Sequence, residues 1–586
     1  MPHDRFSRAI PYVAYAVIAF WYCAPLFASP HGLGILDWDQ HLFYYASVLK
    51  PIVEYGQLPF WNPWYCAGNV LWQNPQIPLL SPALPLAAIT SLPLAMKINI
   101  ALHYWVGLAG MHLLLVRGIG MREPLAAMAL SMIAVCSGAM AMHLAVGHSV
   151  FLPVLYLPFQ LYGLVQAIRT GAMRYVVGAS VPLALMTLNG ALHAVPMSVA
   201  GVGIVSVVAA AALRRVRPIV VGLLVGLLGC AFSAPKLLPV AAFVTSDRFN
   251  DARTVIEHPD AMSAEMVLRT YLDRYQNRGL KFDGQRSGWY EYGNYIGGAA
   301  VCGMLAGVVL AFAVPGARDR WLGIALATTA VVFLLLSAGE FGPLAPASLA
   351  RYVPLFSSFR IPSRYTFGVS LFGIAVLGWA WRVASGEGTP RRVVTVVVLT
   401  VAWGAALDVA SQTREQLRGV FGEAPFTTRF RPGAGTSAPP AMDLTRNAYA
   451  PGSPMLHGLF ENIDFWGSYE SLQLARTAAP DAPFISVDGD GRVSDVRFSP
   501  NRVEFSLIAG RSTTGVRLNQ NAAPGWSSTL GAVHPSPGGM SVAVAPGTAG
   551  RFAFSFTPPG LYAGVGIAAL ALAAAAFLRH RIIPDV

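Results

Sequence analysis

Stretches of roughly 20 mostly apolar residues, the length a helix needs to cross a hydrocarbon core, recur in this chain from near its N-terminus to its last few residues. So many membrane-length stretches exclude a water-soluble fold, and the composition agrees, with 54% hydrophobic and only 12% charged residues. Hydropathy places helices near 9–29, 96–116, 124–142, 150–168, 175–192, 195–213, 218–243, 294–314, 321–338, 364–381, 393–410 and 561–578, about twelve spans in all. The first of them follows Arg5 and Arg8 and has the outline of a signal peptide. Its length, its aromatics and the absence of a small-x-small site at Ser29-Pro30-His31 favour a retained helix.

The formal net charge of +12 raises the question of nucleic acid. The positions of Lys and Arg answer it. Arg5/Arg8, Arg117/Arg122, Arg169/Arg174, Arg214/Arg215/Arg217, Arg318/Arg320, Arg382/Arg391/Arg392 and Arg579/Arg581 fall in every second loop, as the positive-inside rule requires of a cytoplasmic face. The charge is topology, and no nucleic-acid partner is expected. A multi-pass protein of the bacterial cytoplasmic (inner) membrane follows, with both termini cytoplasmic. The five cysteines show no CxxC or Cys/His spacing, so neither a zinc site nor a disulfide framework is expected.

The opposite face receives every large connection: 30–95, 244–293, 339–362 and 411–560. The last is a domain by composition. A Pro/Gly/Ser/Ala-rich linker around Arg431 to Pro440 leads to period-2 alternation at Val503/Phe505/Leu507, Val542/Val544 and Phe552/Phe554/Phe556, which predicts a small β-sandwich. The expected fold class is therefore mainly α: a polytopic membrane helical bundle in 1–410, an exterior β-rich domain in 411–560, and a final transmembrane helix with a cytoplasmic tail in 561–586.

Chemistry is expected in the first exterior loop. Asp37-Trp38-Asp39-Gln40-His41 puts two carboxylates two residues apart at the mouth of the bundle, beside Phe43, Tyr44 and Tyr45. Either is placed to act as a general base, and a solvated interfacial pair has the same spacing. The loop continues through Gly56-Gln57-Leu58-Pro59-Phe60-Trp61-Asn62-Pro63, Gly68, Asn74-Pro75-Gln76 and Ser81-Pro82, a composition for short interfacial helices broken by turns or for an anchoring aromatic belt.

These residues carry a resemblance. D-x-x-x-F-x-Y from Asp39, then G-x-L-P-x-W-N-P, the Asn74-Pro75-Gln76 triplet and Ser81-Pro82 resemble the first exterior loop of YfhO-type bacterial membrane proteins, placed in the GT-C class of glycosyltransferases. Asn189-Gly190-Ala191-Leu192-His193, Phe232-Ser233-Ala234-Pro235-Lys236-Leu237-Leu238-Pro239, Glu291-Tyr292-Gly293-Asn294-Tyr295-Ile296-Gly297, Phe359-Arg360-Ile361-Pro362-Ser363-Arg364-Tyr365 and Pro524-Gly525-Trp526 continue it in order along most of the chain. The resemblance implies transfer of a sugar from a polyprenyl-phosphate donor to a glycan, lipid or protein acceptor at the exterior face, with inversion. It favours Asp39 as the base, with Asp37 second, and it implies substrate-binding roles for Trp61, Asn62, Asn74, Gln76, His193, Glu291, Tyr292 and Tyr295.

Such chemistry needs a fixed guanidinium at headgroup depth to hold the donor phosphate. Arg360 and Arg364, four residues apart around Pro362, are placed for it, and Arg248 is a third candidate. Interfacial arginines that snorkel to lipid phosphates look the same in sequence. The segment 244–293 adds Arg253, Arg269, Arg274 and Arg286 and ends in Trp289-Tyr290-Glu291-Tyr292, aromatic faces beside a carboxylate, as a sugar-binding surface or an amphipathic lid would have. His143, His148 and His193 sit near exterior helix ends, where a proton relay or a divalent metal fits, although no H-x-x-x-H spacing marks a metal site. Two other functions share these features: a transporter or flippase of lipid-linked sugars, and a non-catalytic scaffold of envelope glycan assembly. A transporter of the inverted-repeat kind carries paired broken helices and mid-membrane charge; only Lys236 stands out as such a charge.

Overall fold

The structure is a computed structural model; it describes residues 3–250, 261–282, 285, 287–353, 356, 359, 361–385, 392–425, 430, 441–443, 454–460, 463–465 and 473–585. Among these, nine helices are long and apolar enough to cross a membrane: Ile10–Ala28, Leu92–Ile119, Pro124–Ala145, Ser149–Thr170, Ala194–Leu213, Arg320–Ser337, Pro362–Ser385, Val396–Leu417 and Leu561–Leu578. The remaining three expected spans exist in other forms. Met173–Leu188 and Gly298–Ala313 are apolar but shorter, and the predicted 218–243 is two helices, Arg217–Phe232 and Ala234–Val244, bent by 83°.

The bend follows from its residues. Pro235 and Pro239 lack the amide hydrogens a continuous helix would use, and the Ser233 hydroxyl joins its own amide in donating to the Gly229 carbonyl, at 2.8 Å. The broken backbone is then engaged from outside: the Trp72 indole donates to the Pro235 carbonyl at 2.8 Å, and the buried Lys236 ammonium donates to the Ile77 carbonyl. Phe232-Ser233-Ala234-Pro235-Lys236 is thus the seat on which the first loop rests, a break that apolarity alone does not reveal.

The basic loops do gather at one end of the bundle. Asp319 accepts from Arg169 at 2.9 Å and Arg382 at 3.0 Å. Asp585 pairs with Arg215 and Arg217 at 2.8 and 2.6 Å, and the C-terminal tail bonds to the 171–173 turn through Ile583 and Arg581. The last helix, Leu561–Leu578, packs against Ala234–Val244 through Gly564, where a Cβ would lie 2.4 Å from the Ala234 carbonyl oxygen. Only glycine lets these backbones approach so closely.

Beyond the bundle's other end lies the β-domain, two four-stranded antiparallel sheets. One orders Arg492–Ser499, Arg502–Ile508, Ala549–Phe556 and Trp526–Ser528; the other orders His534–Ser536, Gly539–Ala543, Gly515–Leu518 and Ile485–Asp488. The alternation read from the sequence is largely the alternation of burial: Val503, Phe505, Leu507, Val542, Val544, Phe554 and Phe556 are buried together with Val516, Leu518 and Met540, and Phe552 is half-buried. The segment Arg431 to Pro440, read as a linker, lies outside the described residues.

The first loop is more ordered than interfacial fragments would be. It contains an 18-residue helix, Trp38–Tyr55, a small hairpin of Trp61–Asn62 with Asn69–Val70, and a short helix, Ala83–Ile89. The sandwich grips it. Asn521 donates to the Cys66 and Gly68 carbonyls at 2.7 and 2.9 Å, Trp61 donates its indole hydrogen to Gln520 at 2.8 Å, and Asn501 bonds to Gln57, Leu58 and the Trp61 amide.

Candidate functional site

The site grows from one tight approach. Gly147 has φ of +104°, and a Cβ there would lie 2.3 Å from the Trp38 amide nitrogen, so only glycine lets the 146–148 turn press on the start of the helix Trp38–Tyr55. The Asp37 amide donates to the Val146 carbonyl at 3.0 Å, and the Trp38 indole to the Leu144 carbonyl at 2.9 Å. His148, next after the glycine, is thereby set against Asp37.

From there a chain of polar side chains runs inward. The Asp37 carboxylate meets His148 Nε2 at 3.0 Å. His148 Nδ1 meets His143 Nδ1 at 2.9 Å, and His143 Nε2 lies 3.9 Å from a Glu291 oxygen. Glu291 accepts two bonds from Arg364, Nε at 2.9 Å and Nη2 at 2.5 Å, and Arg364 Nη1 lies 3.0 Å from His193 Nε2. The Phe151 ring organises the inner half: it stacks on His143 (4.2 Å), on His193 (4.9 Å) and beneath the Arg364 guanidinium (5.4 Å), a cation–π arrangement in a dry setting.

Backbone bonds hold Glu291 in place. Ser363 donates to the Glu291 carbonyl at 2.8 Å. Asn294 donates to Ser370 Oγ (2.8 Å) and the Thr366 carbonyl (3.1 Å) and accepts from the Ala139 amide. The run from Glu291 to Tyr295 is therefore a strap that fastens one helix end to another.

Charge follows burial and partners. Burial pushes the Glu291 carboxyl up, but Arg364 first, then His143 and His148, hold it far down, to about 2. Burial likewise opposes ionisation of Asp37, and the His148 bond and charge overcome it, so this carboxyl sits below the ordinary range. His41, buried on the same helix, is pushed down to about 4 by desolvation. Asp37 is thus a carboxylate held ionised, with 32% of its side chain accessible, at the open end of a buried relay.

The other sequence-derived candidates are distributed unevenly. Asp39, in the first turn of the same helix, is buried at 8% exposure. Gln76 lines, with His41, Tyr45, Asn99, His103 and Asn189, a cavity of about 10 Å³, room for about one water. Trp61 packs on Trp526 and Phe556 at the sandwich, while Asn62 and Asn74 accept from the amides of Trp64 and Gln76 and so shape turns. Arg248 donates to the carbonyls of Ala475 and Ala522, a tie to the β-domain. Tyr292 stacks on Phe282 at 4.9 Å, and Tyr295 donates to Asp408 at 2.5 Å. Arg360, Arg253 and Arg286 lie outside the described residues. Sequence reasoning missed Phe151, whose apolar span gave no signal of a ring that three site residues share.

His143, His148 and Glu291 each offer a ligand atom within 4.8 Å of the others. Two imidazoles and a carboxylate suit a divalent cation such as zinc, but both Glu291 oxygens already accept from Arg364. The donor chemistry fits and the carboxylate is engaged, so no reaction step is routed through a metal here.

No protein-family model matches the chain, and no curated protein does. Among solved structures it is similar to the cryo-EM structure of the arabinofuranosyltransferase AftD from Mycobacteria, at 16% sequence identity and a TM-score of 0.42, over 69% of this chain and 27% of that one. The chain thus matches little more than a quarter of that protein's length, and so loose a likeness carries no argument about chemistry.

Proposed function

We propose that the chain is a GT-C-class glycosyltransferase of the bacterial inner membrane, taking a sugar from a polyprenyl-phosphate donor at the exterior face. One observation carries the reading: at the loop end of a membrane bundle the bonded run Asp37–His148–His143 comes within 3.9 Å of Glu291, which is paired to Arg364 and through it reaches His193. A held carboxylate begins it, and a guanidinium fixed between Glu291 and His193 stands near its inner end. The motif resemblance to YfhO-type proteins and the aromatic first loop support the same class.

In the proposed step an acceptor hydroxyl attacks the anomeric carbon as the bond from that carbon to the phosphate oxygen breaks. The phosphate leaves with the electron pair, and the hydroxyl proton passes to a carboxylate. Asp37 suits this role better than Asp39, because it is partly accessible and His148 holds it ionised. Arg364, oriented by Glu291 and His193, supplies positive charge where the departing phosphate is held. The β-domain, clasped to the first loop, positions the acceptor.

A second reading, a transporter of lipid-linked sugars, draws on the 83° break beside the buried Lys236. One experiment separates the two: purified protein in lipid is given a panel of labelled polyprenyl-phosphate sugars, and sugar release is compared for wild type, Asp37→Asn and Asp39→Asn. Release by wild type and loss in Asp37→Asn is expected. A wild type that releases nothing yet moves the intact donor across a bilayer overturns the enzyme reading, and loss in Asp39→Asn alone reassigns the base.

A further inference from the structure

At the end of the bundle opposite this site, where the basic loops gather, lies a cleft of about 860 Å³ lined by Arg122, Arg169, Arg318, Arg382, Glu123 and Asp319. We propose that it binds a phosphate-bearing anion. Four guanidiniums and two carboxylates line this concave surface, where field is concentrated rather than dispersed.

The arrangement differs from a set of independent membrane anchors, in which each arginine snorkels outward alone. Arg169 and Arg382 come from different helices, are 24% and 12% exposed, and share the Asp319 carboxylate at 2.9 and 3.0 Å. Each also donates to a carbonyl of the turn ending the Leu92–Ile119 helix, Gly118 and Ile119, both at 2.5 Å. Asp319 makes this bridge from a left-handed backbone, φ +51°, which a non-glycine residue adopts at a cost. A guanidinium has five N–H donors, so each keeps donors for the cleft after these bonds, and their fork geometry matches phosphate oxygens. Arg122 and Arg318 stand exposed at the rim.

The cleft is bounded by the ends of helices that reach membrane length, among them Leu92–Ile119, Arg320–Ser337 and Pro362–Ser385. That is headgroup depth, so the phosphate is either that of an anionic lipid or a soluble phosphate entering from the aqueous side.

The test uses full-length protein, stripped of lipid in neutral detergent and titrated under native mass spectrometry with phosphatidylglycerol, phosphatidylcholine or inorganic diphosphate. Tighter binding of phosphatidylglycerol than phosphatidylcholine is expected, with affinity falling about thirty-fold in Arg122→Gln/Arg318→Gln, roughly five-fold per basic residue near a membrane surface. Both residues are exposed, and an unchanged unfolding midpoint checks that the variant is folded. Arg214→Gln/Arg579→Gln, outside the cleft, is expected to bind like wild type. Diphosphate binding that the rim variant loses, without lipid preference, supports the site and assigns a soluble source. Equal retention of both lipids with no diphosphate binding, or equal loss in the two double variants, overturns the proposal.

Discussion

Replacing Arg364 by Gln leaves the Glu291 carboxylate buried beside a neutral amide, and its consequences can be worked from the geometry. The pair is deep, with side-chain exposures of 8% and 3%, and the guanidinium makes two bonds to Glu291 and one contact to His193. Removing one partner of a buried pair costs about 3–5 kcal/mol, because the remaining charge stays desolvated. The pH dependence has a definite sign. In wild type the carboxyl is held down to about 2, so the stability it contributes is complete above the ordinary carboxylate range and is lost only as pH falls toward that value. In the variant, burial without Arg364 raises the same carboxyl, so the variant gains stability relative to wild type as pH falls from 8 toward 5. Adding Glu291→Gln removes the orphan charge, and the double variant is expected to recover most of the loss. Reversible unfolding in mixed micelles, followed by tryptophan fluorescence, reads each value. A single variant within about 0.5 kcal/mol of wild type, or a double variant as unstable as the summed singles, refutes the argument.

The relay makes a pH prediction: with His148→Gln the Asp37 carboxyl loses the partner that lowers it, so the acid limb of sugar release moves to higher pH, and an unmoved limb removes Asp37 from the reaction. Asn521→Ala deletes four bonds to backbone groups of the first loop and its own domain; a loss of about 2–4 kcal/mol is expected, seen as faster proteolytic cleavage within 56–70. Gly564→Leu forces the final helix away from Ala234 and is expected to lower stability by about 1–3 kcal/mol, measured by the same unfolding assay.

The bundle was legible because apolar length and alternate basic loops are properties of segments, and segments are what a sequence displays. Arg169, Arg215, Arg217 and Arg382 meet acids at one end as the loop charges require. The sandwich was legible for the same reason, its period-2 runs needing only a local face to be buried. The site was half legible. Asp37, Glu291, Arg364 and His193 could be named one at a time, but their order along a relay depends on Gly147 letting two loops touch, a contact between residues 111 apart. An aromatic at a loop tip looks the same in sequence whether it meets a sugar or a neighbouring domain, and the Trp61 indole donates to Gln520 of the sandwich. The 83° break was hidden because both of its halves are apolar.

Trp61 and Gln520, which lock the first loop to the sandwich, are 459 residues apart in sequence. At a synthesis rate of about 5–20 residues per second, the loop that carries Asp37 waits roughly 20–90 s on the ribosome before its clasp exists. Through that interval the chain is a set of inserted helices with an unfastened loop. The loop that carries Asp37, among the first parts to leave the ribosome, is among the last to be fastened, so truncation before Gln520 removes this clasp while every residue from Asp37 to Arg364 is still present.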